Sequence, residues 1–188
     1  MRIGWAAIVV GLALGGCAGP PLVLYTLGVP GQAGMAPSLR PGAPVVMVGR
    51  IGVPDALDSQ DILVRDGAIL RRSSTGRWAS RLSVAATDLV TTRLAARLPG
   101  ALVTDQPQAA AVSYRVDVNV SRLDISRDGV GVLDANWTVV PGDPAQRVVR
   151  NRTEVRAQGS AASDAGVAAL TSELFGKFGD TFDVGVIR

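Results

Sequence analysis

Val112-Ser113-Tyr114-Arg115-Val116-Asp117-Val118-Asn119-Val120 alternates apolar and polar side chains along its whole length, and this stretch decides the fold class. A period of two sends successive side chains to opposite faces of a pleated strand, so one face is built for a core and the other for solvent. The alternation slips at Ser121-Arg122 and resumes at Leu123 and Ile125, which predicts a β-bulge near residue 121. Arg127-Asp128-Gly129 supplies a turn, after which Leu133, Ala135, Trp137 and Val139 alternate with Asp134, Asn136 and Thr138. Beyond Pro141-Gly142-Asp143-Pro144, a third segment sets Val149, Asn151, Thr153 and Val155 against Arg150, Arg152, Glu154 and Arg156. Three such strands predict an antiparallel meander with an arginine-rich outer face. That face is either simply solvated or a docking surface centred on Arg150, Arg152 and Arg156.

Helical spacing brackets the meander. From about Trp78 to Leu98, Leu82, Ala86, Val90, Leu94 and Leu98 recur at steps of four, and Pro99-Gly100 stops the run. Arg81, Asp88, Arg93 and Arg97 are left for the outer side of this helix. A second helix follows the meander, with Ser160 or Ser163 as its cap and Val167, Leu170, Leu174 and Phe178 as its apolar stripe. Gly176 and Gly179 weaken its end, and Phe182 to Ile187 forms an apolar tail whose default place is a buried edge. Upstream, Leu22 to Leu27 reads as a first strand, and Gly28 to Pro44 as a loop. Val45 to Val53 reads as a buried strand carrying a bulge and ended by Pro54. Ile62 to Arg65 and Ala68 to Arg72 flank Asp66-Gly67, a strong hairpin signal. The order predicts an α+β fold: a mixed, mostly antiparallel sheet with two main helices packed on one face.

Composition removes whole classes of chemistry. The 188 residues contain no histidine and one cysteine, so a Ser-His-Asp triad, a Cys-His pair and the common zinc arrangements cannot be built. No nucleophile elbow and no phosphate-cradling loop occurs, and Gly129-Val130-Gly131 reads as a hairpin turn rather than a dinucleotide fingerprint. Asp55, Asp58, Asp61 and Asp66 lie close in sequence, yet Asp beside Gly or Pro is turn chemistry first, so a carboxylate-only hydrolase is the minor reading. The net charge of +3 comes from arginines scattered singly among aspartates, with Lys177 the sole lysine, which is not the footprint of a nucleic-acid binder. Neither a cofactor nor a metal is expected.

The N-terminus predicts location. Arg2 gives a positive start, Trp5 to Leu14 an apolar run too short to span a bilayer, and Leu14-Gly15-Gly16-Cys17 resembles the lipobox of bacterial lipoproteins. Residues 1–16 are therefore expected to be a lipoprotein signal peptide, and 17–21 a lipidated cysteine with its tether. Residues 22–188 then form one domain. Cys17 would carry diacylglycerol and an N-acyl chain; one fatty chain anchors marginally, whereas three anchor stably. Ala18 after the cysteine matches an outer-membrane address in the enterobacterial sorting pattern.

Four segments carry a family likeness: Tyr25-Thr26-Leu27; Val53-Pro54-Asp55-Ala56-Leu57-Asp58-Ser59-Gln60-Asp61-Ile62-Leu63-Val64-Arg65; Trp78-Ala79-Ser80-Arg81-Leu82; and Leu133-Asp134-Ala135-Asn136-Trp137. In order and spacing they resemble the ABC-type transport auxiliary lipoproteins, the PqiC/YmbA-like group. Pro54, Leu57, Arg65, Trp78 and Leu82 match the family pattern individually, while Ala56 stands where an aromatic is common and Ser80-Arg81 where a Glu-Pro pair is. The resemblance implies a fold like the N-terminal domain of TolB. It also implies a non-catalytic lipoprotein on the periplasmic face of the outer membrane, accompanying an MCE-domain transport protein or ABC transporter that moves phospholipid-like molecules and supports envelope integrity. A homo-oligomer is expected, since a single copy of this size hardly encloses a dry path for lipid tails. An assembly factor or chaperone for an outer-membrane protein is the alternative.

Overall fold

The computed structural model describes residues 21–28, 39–109, 111–183, 185 and 187. The expected signal peptide and Cys17 lie outside them. Along the described chain run β1 (Val23–Tyr25), β2 (Val45–Val48), β3 (Asp61–Asp66), β4 (Ile69–Trp78), α1 (Leu82–Arg97), β5 (Leu102–Thr104), β6 (Tyr114–Ile125), β7 (Val130–Pro141), β8 (Val149–Gln158) and α2 (Asp164–Asp180). The class is α+β, as the pattern predicts, but the single mixed sheet expected is two. The strands divide into two sheets, one of order β1-β4-β3 and one of order β5-β2-β6-β7-β8.

The meander forms the body of the larger sheet. β6 pairs antiparallel with β7 from Tyr114↔Pro141 to Ile125↔Gly131, and the register shifts between Val120 and Arg122, where the broken alternation placed a bulge. β7 pairs with β8 from Val130↔Gln158 to Val139↔Val149. The apolar members of the alternation, among them Val116, Val118, Val120, Leu133, Ala135, Trp137 and Val139, are buried together with both helical stripes. Trp137, Phe178 and Phe182 meet in a tilted and edge-on stack, with centroids 4.9 and 5.1 Å apart. The start of the apolar tail is therefore core, as its composition suggests. Gly129, at φ +82°, closes the β6–β7 turn where a Cβ would lie 1.9 Å from the carbonyl oxygen of Gly159.

Several local expectations change. β2 is regular only to Val48, yet its parallel ladder on β6 continues through Gly49 N to Val116 O and Gly52 N to Val118 O. Three residues there span two on the partner, which is the anticipated bulge. Pro54 consequently does not end a regular strand; its carbonyl instead accepts from the amides of Leu57 and Asp58 and starts a turn. β5 had no sequence signal, because its three residues form a strand only by pairing with β2. Arg93 is exposed, as expected, and Arg97 is half-buried, yet both also approach α2: a Cβ at Gly179 would lie 3.0 Å from that of Arg93, and Arg97 Nη1 donates to Gly179 O at 3.1 Å. The two helix glycines are thus close-approach positions. Of the two candidate caps, Ser163 takes α2, accepting from Gly166 N at 3.2 Å.

α1 begins at Leu82 rather than near Trp78, because β4 extends through Trp78 and pairs it with Tyr25. Arg81 at the N-cap offers no side-chain acceptor, and Asp58 from the preceding turn supplies one, accepting from Ser83 N at 3.1 Å. Burial works against the Asp58 charge. The Ser83 hydrogen bonds and the nearby Arg81 and Arg50 outweigh it and hold its pKa below the usual carboxylate value. Asp58→Ala is expected to cost about 1 kcal/mol of stability in urea unfolding. Asp58→Asn, which keeps an acceptor, is expected to cost less.

Candidate functional site

Leu57, Arg65, Trp78 and Leu82, separated by as many as 25 positions in sequence, line one cavity of about 30 Å³ where the smaller sheet meets β6. The space suits about one water molecule and no substrate. Three of the four sit there as packing: Leu57 and Leu82 are core, and Trp78 covers the junction of the β3–β4 hairpin with α1. Pro54 stands apart, in the turn that delivers Leu57 and Asp58.

Arg65 is the polar member, and its partner explains it. Its Nε donates to Asp124 Oδ1 on β6, and Asp124 also accepts from Arg122 Nε at 2.7 Å. The Asp124 side chain is 15% exposed, and burial opposes its charge. The two guanidinium hydrogen bonds prevail, so its pKa lies below the ordinary carboxylate range. A parallel bridge between Arg65 and Ser126 adds a backbone link at the same place. Arg65 therefore ties the smaller sheet to the larger one.

From this joint a ladder of charges runs across the face of the larger sheet that the helices leave uncovered. Arg152 grips Asp134 with two parallel donors, Nε at 2.9 Å and Nη2 onto the second oxygen. Those hydrogen bonds, ahead of an opposing desolvation, depress the Asp134 pKa and raise that of Arg152. Arg156 pairs with Glu154 at 2.8 Å and Arg115 with Asp117 at 2.8 Å. Of the three arginines read as a docking stripe, Arg152 and Arg156 are thus held by carboxylates, while Arg150 is exposed and has no ion pair among the described residues. Pairs two apart on one strand, such as Arg122 with Asp124, are readable from the period of two. The Arg152–Asp134 pair and the role of Asp124 toward Arg65 were missed, because both need the register across strands.

Three of the four clustered carboxylates are spent on structure, while Asp55 is exposed and has no ion pair among the described residues. Asp58 caps α1, Asp61 faces Arg77 at 3.3 Å, and Asp66 pairs with Arg71 at 2.6 Å and Arg127 at 3.1 Å. Asp88 on α1 behaves oppositely: burial, with Asp105 nearby, raises its pKa against the pull of Arg50. Among the described residues no group of three or more potential metal ligands gathers, and no helix is long and apolar enough to cross a membrane.

Residues 25–181 match the family model described as the ABC-type transport auxiliary lipoprotein component. The chain belongs to that family. Two solved structures share its fold. Protein XCC0632 from Xanthomonas campestris, of family DUF330, is 18% identical with a TM-score of 0.61, over 88% of this chain and 95% of that one. An uncharacterized protein is 15% identical with a TM-score of 0.67, over 85% and 95%. A comparison with curated proteins yields no match. For this auxiliary lipoprotein the Arg65 joint and the ladder beyond it form the candidate site.

Arg65→Met is expected to lower stability by about 1–3 kcal/mol, since it strips a partner from a largely buried carboxylate. Arg122→Met is expected to cost less, its side chain being 53% exposed. A carboxylate with a depressed folded pKa stabilises above its unfolded value of about 3.9, and that contribution is lost as pH falls through the folded value. Unfolding between pH 5 and about pH 2 should therefore show a shallower loss of stability in Arg65→Met than in the parent.

Proposed function

We propose that this auxiliary lipoprotein is a non-catalytic adaptor of an MCE-type or ABC lipid transport system. It is held at the periplasmic face of the outer membrane, where it supports envelope integrity. In this reading residues 1–16 are removed, Cys17 carries diacylglycerol and an N-acyl chain, and 17–21 tether the folded part. The observation that carries the proposal is the uncovered, pre-ordered charge ladder of the larger sheet. Side chains already fixed by ion pairs lose little further freedom when a partner docks on them, which is what a surface used for positioning requires. Of the four clustered carboxylates, Asp58, Asp61 and Asp66 are taken up by capping and pairing, and Asp55 stands alone on the surface, which favours an adaptor over an enzyme.

Lipid tails need a dry path; the cavity at Arg65 holds only about 30 Å³, and the larger clefts, about 660 Å³ beside residues 39–44 and about 570 Å³ beside Ser113 and Gly142, lie open to solvent. The adaptor reading therefore includes self-association around a partner's channel. Light scattering of the acylated protein in detergent should give a mass above that of a single chain, and a strict monomer counts against it.

Photo-crosslinking in intact cells from position 150 is expected to capture an MCE-domain protein or a transporter subunit. Capture of an outer-membrane β-barrel in its place would replace this reading with the assembly-factor alternative.

A further inference from the structure

We propose that the free edge of β1, Leu22-Val23-Leu24, lies in the surface of the same bilayer that holds Cys17. The inference rests on the anchored reading of Cys17 given above. Folding leaves these three consecutive apolar residues 56%, 45% and 61% exposed. Among the described residues β1 is an edge strand whose one neighbour is β4, in the register Val23↔Gly76, Leu24↔Arg77 and Tyr25↔Trp78. Tyr25 packs against the core, and alternate strand residues share a face, so Leu22 and Leu24 point away from the core. The nearest cation across the pair, Arg77, is balanced by Asp61 at 3.3 Å, leaving no net charge beside Leu24.

The sequence beside this edge carries no charge of its own, although Pro20-Pro21 precede it and the Asp164 carboxylate lies against Gly76, the partner of Val23. Exposed edges are ordinarily guarded by charged side chains, as β8 is by its arginines and Glu154. Here no charged residue occurs from Ala18 through Leu39. Leu22 is five positions from Cys17, and a fully extended chain of that length spans at most about 17 Å. With its acyl chains in the hydrocarbon, the cysteine stands at headgroup level, in a zone roughly 5–7 Å thick on each side of the bilayer. β1 is thus confined near the interface whatever path the tether takes.

The other candidate occupant is a second copy of the chain. The three side chains offer only a few hundred Å² of apolar surface, whereas a stable interface between protein copies buries about 800 Å² on each. Contact with the bilayer needs no such minimum, because the anchor makes it an intramolecular event at high effective concentration.

The test uses the mature acylated protein, residues 17–188, on phosphatidylethanolamine–phosphatidylglycerol vesicles with brominated acyl chains, with Leu24→Trp as reporter and Arg150→Trp as control. Trp78 and Trp137 are 3% and 4% exposed, so they contribute a shielded background. Both reporter positions are exposed, so the fold accepts either ring. At least twofold stronger quenching of Leu24→Trp than of Arg150→Trp is expected. Acylation shown by mass spectrometry together with equal quenching would overturn the β1 contact alone. A blue-shifted but unquenched Leu24→Trp would assign the strand to a protein partner and also overturn it. A bare Cys17 thiol would remove the anchored reading, and this inference with it.

Discussion

A pleated strand gives each side chain one of two faces, and the larger sheet depends on a single extra residue that lets β6 keep that rule. Without the bulge, Arg122 and Asp124 would follow Val120 onto the core side. With it, Val120 and Leu123 both enter the core while Ser121 and Arg122 stay out, and Ser121 Oγ ties the irregularity to Asp134 O at 3.1 Å. The same shift sets Arg122 opposite Asp134 and Asp124 opposite Val132. It thereby brings Asp124 to the side from which Arg65 approaches. The joint between the two sheets and the ladder beyond it thus follow from one inserted position.

How much of this was legible depends on how local each signal is. The alternation of residues 112–125, 133–139 and 149–156 yields three strands and the bulge, because period and interruption both sit within one short segment; β7 reaches back to Val130, which reads as part of the turn. The α1 stripe was equally plain, but its start was not, since nothing in Trp78-Ala79-Ser80-Arg81 announces that Asp58 does the capping. β5 and the division into two sheets depend on parallel pairing across long connections, which leaves no local trace. The site was half legible. Family likeness picks out Leu57, Arg65, Trp78 and Leu82 without saying that they converge, and nothing local to Asp124 announces that it is the partner of Arg65.

The edges at β8 and β1 are managed in opposite ways. Along β8 the even-numbered residues turn their backbone groups away from β7. Two of those groups are already occupied: Arg152 N–H by the Asn151 side chain at 2.8 Å, and Arg156 C=O by Lys177 from α2 at 3.2 Å. With Arg150, Arg152, Glu154 and Arg156 flanking it, this long edge is a poor template for another strand. Docking on the larger sheet is then a matter of side chains on its face rather than of strand addition. β1 has neither the blocking bonds nor the charges.

Paired charges on the uncovered face give that surface a particular character. Five arginines (Arg65, Arg115, Arg122, Arg152 and Arg156) share the four carboxylates Asp117, Asp124, Asp134 and Glu154, so most charge on this face is matched and the net field is modest. Such a surface attracts little at long range and discriminates at contact, because a partner must replace or extend existing pairs in register. Arg150, exposed beside these pairs with its own charge unanswered, is the position where an acidic group on a partner gains most, since no internal pair has to be broken first. The arrangement favours one alignment over strong but indiscriminate adhesion. That is the property an auxiliary subunit needs when a fixed anchor already supplies proximity and only orientation is left to specify.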